Sequence, residues 1–176
     1  MTTTTASATR PAARDRARWP IFFGLAAVVF VADQISKAWL VSFLAPGQRV
    51  DVLGDYVRLV HSQNNGALFG LFRDQAILFA IVSVGVVGAI IWFHRSSGRN
   101  TLLSVALGLL LGGALGNMAD RFRIGYVVDF VDLGIGTLRW YTFNIADAAI
   151  SGAILLLLLS TFVVDRARPT PESPDA

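Results

Sequence analysis

The sequence predicts an all-α membrane protein of four transmembrane helices with a small β element, on three observations. Hydrophobic residues make up 54% of the chain and charged residues 15%, with a mean hydropathy of +0.58, a balance that a soluble domain with a charged surface does not show. Four apolar runs are each long enough for the ~20 residues that cross a hydrocarbon layer. The 176 residues leave only short connections between those runs, so one membrane domain and no separate soluble domain is expected.

Residues 1–18, rich in Thr, Ala and Arg, have almost nothing to bury and read as a disordered tail. Arg14, Arg16 and Arg18 directly precede the first apolar run, which by the positive-inside tendency holds this end in the cytosol. Span one, about Pro20 to Leu44, runs into Asp33-Gln34 and Lys37 without a small-residue cleavage site, so a cleaved signal peptide is not expected. Asp33 and Lys37 are four apart and share a helix face. A snorkelling Lys37 with a local ion pair is the bland reading of that face; Asp33 turned into the helix bundle is the sharper one.

From Pro46 to Gly70 the pattern changes to alternation. Val50 and Val52 precede Gly54-Asp55, and Val57 and Leu59 follow it, which predicts a hairpin. HSQNNG (61–66) is polar and turn-prone; its Asn-Gly is by itself a turn signal, and a functional role for Asn64 or Asn65 is the sharper alternative. Span two, about Gln75 to Phe93, has no titratable residue and serves as scaffold; His94, beside Arg95 at its end, is expected at the membrane interface and not as a ligand. Span three, about Thr101 to Asp120, carries Gly108, Gly112 and Gly116 at every fourth residue, a stripe that lets helix backbones approach closely. Two such series, Gly112-Gly116-Asp120 and Gly113-Asn117-Arg121, carry the seam into polar groups. After Arg121 helical periodicity is lost, and the chain reaches Asp129 and Asp132 within YVVDFVDL. Span four, about Tyr141 to Val164, has Asn144 and Asp147 one turn apart, and residues 166–176 form a second tail. Four spans put both tails on one side, with eight Lys and Arg inside against six outside.

At 1.5 Å per residue, Asp33 falls about 20 Å into span one, Asn117 about 24 Å along span three and Asp147 about 9 Å into span four. All three then sit roughly 6–10 Å beneath the outer face of a ~30 Å layer. Ionisable groups at such depth are costly and mark function. Two aspartates facing each other at a partly dry site share a proton, the state in which one carboxylate activates water and the other protonates a carbonyl oxygen. The residues point to Asp147 paired with Asp129 or Asp132, two carboxylates that spacing alone does not separate.

Competing chemistries fit less well. The absence of cysteine removes disulfides, thiolate catalysis and cysteine-ligated metal. His61 and His94 fall outside the polar cluster, which leaves no base for a catalytic serine and no zinc site. A magnesium site of Asp120, Asp129, Asp132 and Asp147 for phospholipid chemistry is conceivable. So is a proton-coupled transporter using Asp33 and Asp147, but the chain shows no inverted repeat. A purely structural membrane protein has no need of so many buried polar groups. The net charge of +3 and pI of about 9.9 do not indicate nucleic acid, because the arginines are scattered among loops and tails.

The stretches DQISK (33–37), NNGALFG (64–70), GNMADR with VVDF (116–130) and FNIAD (143–147) resemble the lipoprotein signal peptidase (signal peptidase II) family, in family order across about two thirds of the chain. The resemblance implies four transmembrane helices with an extracytoplasmic β-cradle, here around 46–70 and 121–140. It places the catalytic dyad on Asp129 and Asp147. Supporting or substrate-binding roles fall on Asp33, Lys37, Asn64, Asn117, Arg121 and Asn144, with Asp120 structural. It further implies a bacterial inner-membrane aspartic endopeptidase, sensitive to globomycin, that cuts diacylglyceryl-modified prolipoproteins before the lipidated cysteine near the outer leaflet. A monomer among membrane lipids is expected, with no metal or other cofactor.

Overall fold

The computed structural model describes residues 18–66, 76–97 and 100–166, and side chains of the last helix as far as Ser160. Of the tails expected at 1–18 and 166–176, residues 1–17 and 167–176 lie outside the described residues, as does the NNGALFG motif beyond Gly66; Arg166 closes the last helix.

Four helices and four short strands follow in order: α1 (Trp19–Phe43), β1 (Arg49–Leu53), β2 (Val57–Asn64), α2 (Ala76–Ser97), α3 (Thr101–Ile124), β3 (Val127–Ile135), β4 (Leu138–Arg139) and α4 (Ile145–Arg166). In α1, Phe22, Ala26, Val29, Asp33, Lys37 and Leu40 recur every three to four residues on one buried stripe. The opposite side, with Val28, Val31, Ile35 and Trp39, is apolar and exposed. A helix with polar groups inside and apolar groups outside is built for lipid, where the outward face has no water to avoid. α1, α2 from Leu78, and α3 are each long and apolar enough to cross a membrane. The apolar described part of α4, Ile145–Ser160, is shorter, and the helix itself continues to Arg166.

α3 is the central helix and packs against α1, α2 and α4. Its glycines permit this. A Cβ on Gly112 would lie 2.7 Å from the Ala26 carbonyl oxygen and 2.7 Å from Val29 Cβ. One on Gly116 would lie 2.6 Å from Asp33 Oδ2, and one on Gly113 2.5 Å from the Ala146 carbonyl oxygen. The two glycine series thus face different partners, α1 and α4. At the Trp19 end of α1, Phe22, Ala26, Leu107 and Leu111 form one buried cluster. At the Phe43 end, Leu40 and Leu44 pack under Val128 and Phe130.

The sheet is antiparallel, in the order β1-β2-β3-β4. The expected hairpin forms with Val50 opposite Leu59, and Gly54 takes the left-handed conformation in the turn (φ +48°) that glycine adopts at low cost. The β2–β3 pairing slips between Leu59 opposite Val131 and Ser62 opposite Asp129. Such bulges re-aim a neighbouring side chain.

Three expectations are corrected. α3 runs four residues past Asp120 to Ile124 before Gly125 (φ +81°) ends it, so the β element does not begin at 121. α4 begins at Ile145 and not Tyr141, because Phe143 is held to β3 by backbone hydrogen bonds; Asp147 is therefore in its first turn. His94 is fully buried, since Phe22 stacks on its ring at 4.1 Å and Trp19 meets it edge-on at 4.6 Å, while Nε2 reaches Ser104 Oγ at 3.1 Å.

The seam yields a stability prediction. Gly113→Ala drives a methyl into a helix backbone and is expected to cost about 1–3 kcal/mol, whereas Gly24→Ala, with nothing within 4 Å, is expected to be neutral or slightly stabilising. Thermal unfolding of the two purified variants checks the contrast, and equal midpoints would refute the close-packed seam.

Candidate active site

Asp129 lies on β3 at the edge of the bulge, opposite Ser62, and is 1% exposed. Its Oδ2 accepts a hydrogen bond from Asn64 Nδ2 at 3.0 Å, and its Oδ1 one from Asn144 Nδ2 at 2.7 Å. Asn64 is the last residue of β2, so the β2–β3 register presents it to the carboxylate. Asn65 beside it is exposed.

Asp147 reaches the same place from α4. Backbone bonds join Phe130 and Val131 N–H to the Phe143 carbonyl, and Phe143 N–H to the Val131 carbonyl. They lay the segment before α4 along β3, so Asn144 arrives beside Asp129. Asn144 caps α4: its Oδ1 accepts from Asp147 N at 2.9 Å, while Asp147 Oδ2 accepts from Asn144 N at 3.4 Å. This is a reciprocal capping box in an Asn-x-x-Asp version. Asp147 Oδ1 accepts from Asn117 Nδ2 at 2.8 Å. Asn144 Nδ2 also faces Asn117 Oδ1 at 3.1 Å and the Val128 carbonyl at 3.3 Å. One side chain therefore binds both the Asp129 carboxylate and the backbone of Asp147.

Below this lies an ionic layer. Lys37 Nζ is 2.7 Å from Asp33 Oδ2, 2.9 Å from Asp120 Oδ2 and 3.2 Å from Asn117 Oδ1. All three charged residues are at most 1% exposed. The sharp reading of Asp33 holds, since its Oδ1 accepts from Ala146 N at 3.0 Å in the first turn of α4. Asp120 Oδ2 accepts from Val128 N at 3.2 Å. Arg121 donates to the Asn117 carbonyl at 3.2 Å and to the Gly66 carbonyl at 3.4 Å, and its guanidinium lies 5.7 Å from the Phe79 ring centre.

All nine candidate residues thus belong to one connected network. Asp132 does not. Arg139 Nε donates to its Oδ1 at 3.0 Å and Arg139 Nη2 lies 2.9 Å from its Oδ2, an ion pair at the β3–β4 hairpin. With Asp132 on Arg139 and Asp120 on Lys37, the four carboxylates of a magnesium site do not converge. Among the described residues no group of three or more such side chains is placed to hold a metal ion.

The electrostatics separate Asp129 from an ordinary acid. Burial first, and then the negative charge of Asp147, push its carboxyl up to about 7, against the opposing hydrogen bonds of Asn64 and Asn144 and the charge of Lys37. Tyr141 is raised by burial and by the same two aspartates. It was not among the expected residues, and nothing in its spacing marks it. Gln34 was missed as well; its Nε2 lies 3.1 Å from Asp120 Oδ1.

Fold and site together define a polytopic helical membrane protein with a buried polar centre under a small sheet. The family described as Signal peptidase (SPase) II matches residues 25–163. Proteins named lipoprotein signal peptidase from Caulobacter vibrioides and Syntrophomonas wolfei are 41% and 40% identical, over 81% and 78% of this chain and 87% and 91% of theirs. One from Mycobacterium avium is 37% identical, over 89% of this chain and 87% of its own. A solved bacterial membrane enzyme, determined by the in meso method at 2.3 Å resolution, superposes with a TM-score of 0.79 at 26% identity, covering 91% of this chain and 98% of its own. The chain belongs to the signal peptidase II family, the lipoprotein signal peptidases.

The protonation of Asp129 can be read directly. A protonated-carboxyl infrared band is expected to titrate with a midpoint near 7 and to vanish in Asp129→Asn. In Asp147→Asn the neighbouring charge is gone, so the midpoint moves to lower pH. An unshifted midpoint would show that the two carboxylates do not sense each other.

Proposed function

We propose that this chain is an intramembrane aspartic endopeptidase that removes the signal peptide from diacylglyceryl-modified prolipoproteins, cleaving before the lipidated cysteine, with Asp129 and Asp147 as its dyad. The observation that carries this reading is the pair itself: two carboxylates on different elements are tied to one asparagine, and one of them keeps its proton close to neutral pH.

Asp129 carries the shared proton. Asp147 carries the charge, which the first turn of α4 favours through its N-terminal dipole and the Asn117 donor. The Asp147 carboxylate takes a proton from water as the water oxygen attacks the scissile carbonyl carbon. Asp129 gives its proton to the carbonyl oxygen, and the product is a neutral gem-diol. Collapse returns a proton from one hydroxyl to Asp129, the proton on Asp147 passes to the leaving nitrogen, and the amide bond breaks. No covalent enzyme intermediate forms. Asn64 and Asn144 orient Asp129 without adding charge, and Arg121 offers donors to a substrate backbone.

Four transmembrane helices, both termini in the cytosol and a site below the outer face of the bacterial inner membrane suit this substrate. Its two acyl chains then stay in the outer leaflet while the peptide bond reaches the dyad, and the enzyme works as a monomer.

Asp129→Asn and Asp147→Asn are each expected to reduce cleavage of a diacylglyceryl-modified precursor by at least about 10²- to 10⁴-fold while membrane insertion is unchanged; normal turnover by either would sink the dyad. Asp132→Asn is expected to retain turnover within a few-fold. A gel-shift assay on the lipidated precursor reads all three, with globomycin expected to block the wild type and EDTA to leave it active. EDTA-sensitive activity would favour a metal-dependent lipid enzyme.

A further inference from the structure

Gln34 lies one residue from Asp33 on α1, and its amide nitrogen is surrounded by acceptors: Asp33 Oδ2 at 3.2 Å, Asp120 Oδ1 at 3.1 Å and the Gly116 carbonyl at 3.2 Å. Each carboxylate has a second attachment. Asp33 Oδ1 holds the N–H of Ala146, the residue before Asp147. Asp120 Oδ2 holds the N–H of Val128, the residue before Asp129. A path of polar contacts therefore runs from the backbone beside one dyad member, through Asp33, then Lys37 and Gln34, then Asp120, to the backbone beside the other.

We propose that Gln34 is a positioning residue that sets the spacing of Asp129 and Asp147 by locking the planes of the Asp33 and Asp120 carboxylates, each of which grips the backbone next to one of them. The proposal rests on the dyad reading above. Lys37 alone cannot do this. It meets Asp33 and Asp120 only through Oδ2 of each, and the terminal torsion of an aspartate is soft. Apart from Gln34, the partner of Asp120 Oδ1 among the described residues is Arg123 at 3.6 Å, whose side chain is 62% exposed. Removing the Gln34 donor frees Asp120 to swing its Oδ2 away from Val128 N. An amide is the suitable group, since it supplies two hydrogens between two carboxylates without adding a charge. A second cation would neutralise the layer and drain negative potential from the pair above it.

Position 34 is faced by Asp33 and Lys37 from α1 and by Asp120 and Arg123 from α3. Asp147 of α4 and Asp129 of β3 stand beyond Lys37, Asn117 and Asn144. Gln34→Glu is nearly isosteric, yet when ionised it has no hydrogen to donate and faces two carboxylates. Protonated, it donates again.

The test is kcat and KM for cleavage of a diacylglyceryl-modified precursor by wild type, Gln34→Glu and Gln34→Ala across a pH series. Gln34→Glu is expected to lose about 10- to 100-fold in kcat above neutrality, the scale of a small misplacement of catalytic groups, with KM within about two-fold. Its kcat relative to wild type is expected to recover as pH falls. Gln34→Ala is expected to lose kcat at every pH, with no acid recovery. A flat ratio for Gln34→Glu, or wild-type kcat in both variants, overturns the proposal. If Gln34→Glu does not fold, the Asp129 carboxyl band decides: a midpoint shifted in Gln34→Ala supports the proposal and an unchanged one overturns it. A wild type that does not cleave defeats the peptidase reading instead, and the same infrared comparison still tests Gln34.

Discussion

The structure depends on a lysine buried between two aspartates. An unpaired ammonium or carboxylate in a dry interior costs several kcal/mol, and the Lys37 layer meets that cost by pairing each charge and directing the remaining carboxylate oxygens at backbone N–H groups. Those N–H groups belong to α4 and β3, elements that share no covalent neighbour with α1. The layer thus does in a membrane what a hydrophobic core does in water, where no solvent-driven force would pull polar elements together.

Close approach makes the layer possible. Asp33 reaches Lys37 and Ala146 only because Gly116 presents no side chain, and α4 lies against α3 only because Gly113 presents none. The same helix that supplies the gap then supplies Asn117, Asp120 and Arg121 within two turns. Packing and polarity are therefore consecutive stretches of one seam. The aspartates above it sit on a strand and on a helix start, so the pair is assembled by tertiary contacts alone.

Much of this was readable in the sequence where one force dominated. Apolar runs long enough to cross a bilayer located the helices, and the period-four glycines located the seam and pointed at Asn117 and Arg121. Alternation around Gly54 located the β1–β2 hairpin. Reading failed where two signals overlapped or where the partner was distant. Tyr141 to Phe143 continue the apolar run of α4 and hid its true start, although Asn144 three residues before Asp147 is a capping pattern that could have marked it. Asp129 and Asp132 share one apolar strand, and what separates them is Arg139, in a different strand. Gln34 escaped notice because residues adjacent in a helix point in different directions, and only its length brings it to Asp120. His94 does stand in the last turn of α2, but its burial was not legible because nothing in its own neighbourhood announces the Trp19 and Phe22 rings supplied by α1.

The Asn144–Asp147 cap joins two jobs in one carboxylate. The group that opens α4 by holding the Asn144 N–H is the group that, under the dyad reading, gains and loses a proton at every turnover. Each catalytic event then briefly loosens the fastening of a helix end, and a catalytic cycle becomes a mechanical one. Amide exchange at Asn144 and Asp147, the two N–H groups of the cap, should quicken while substrate is being consumed and slow again when it is exhausted, so the helix start itself serves as a reporter of the chemistry.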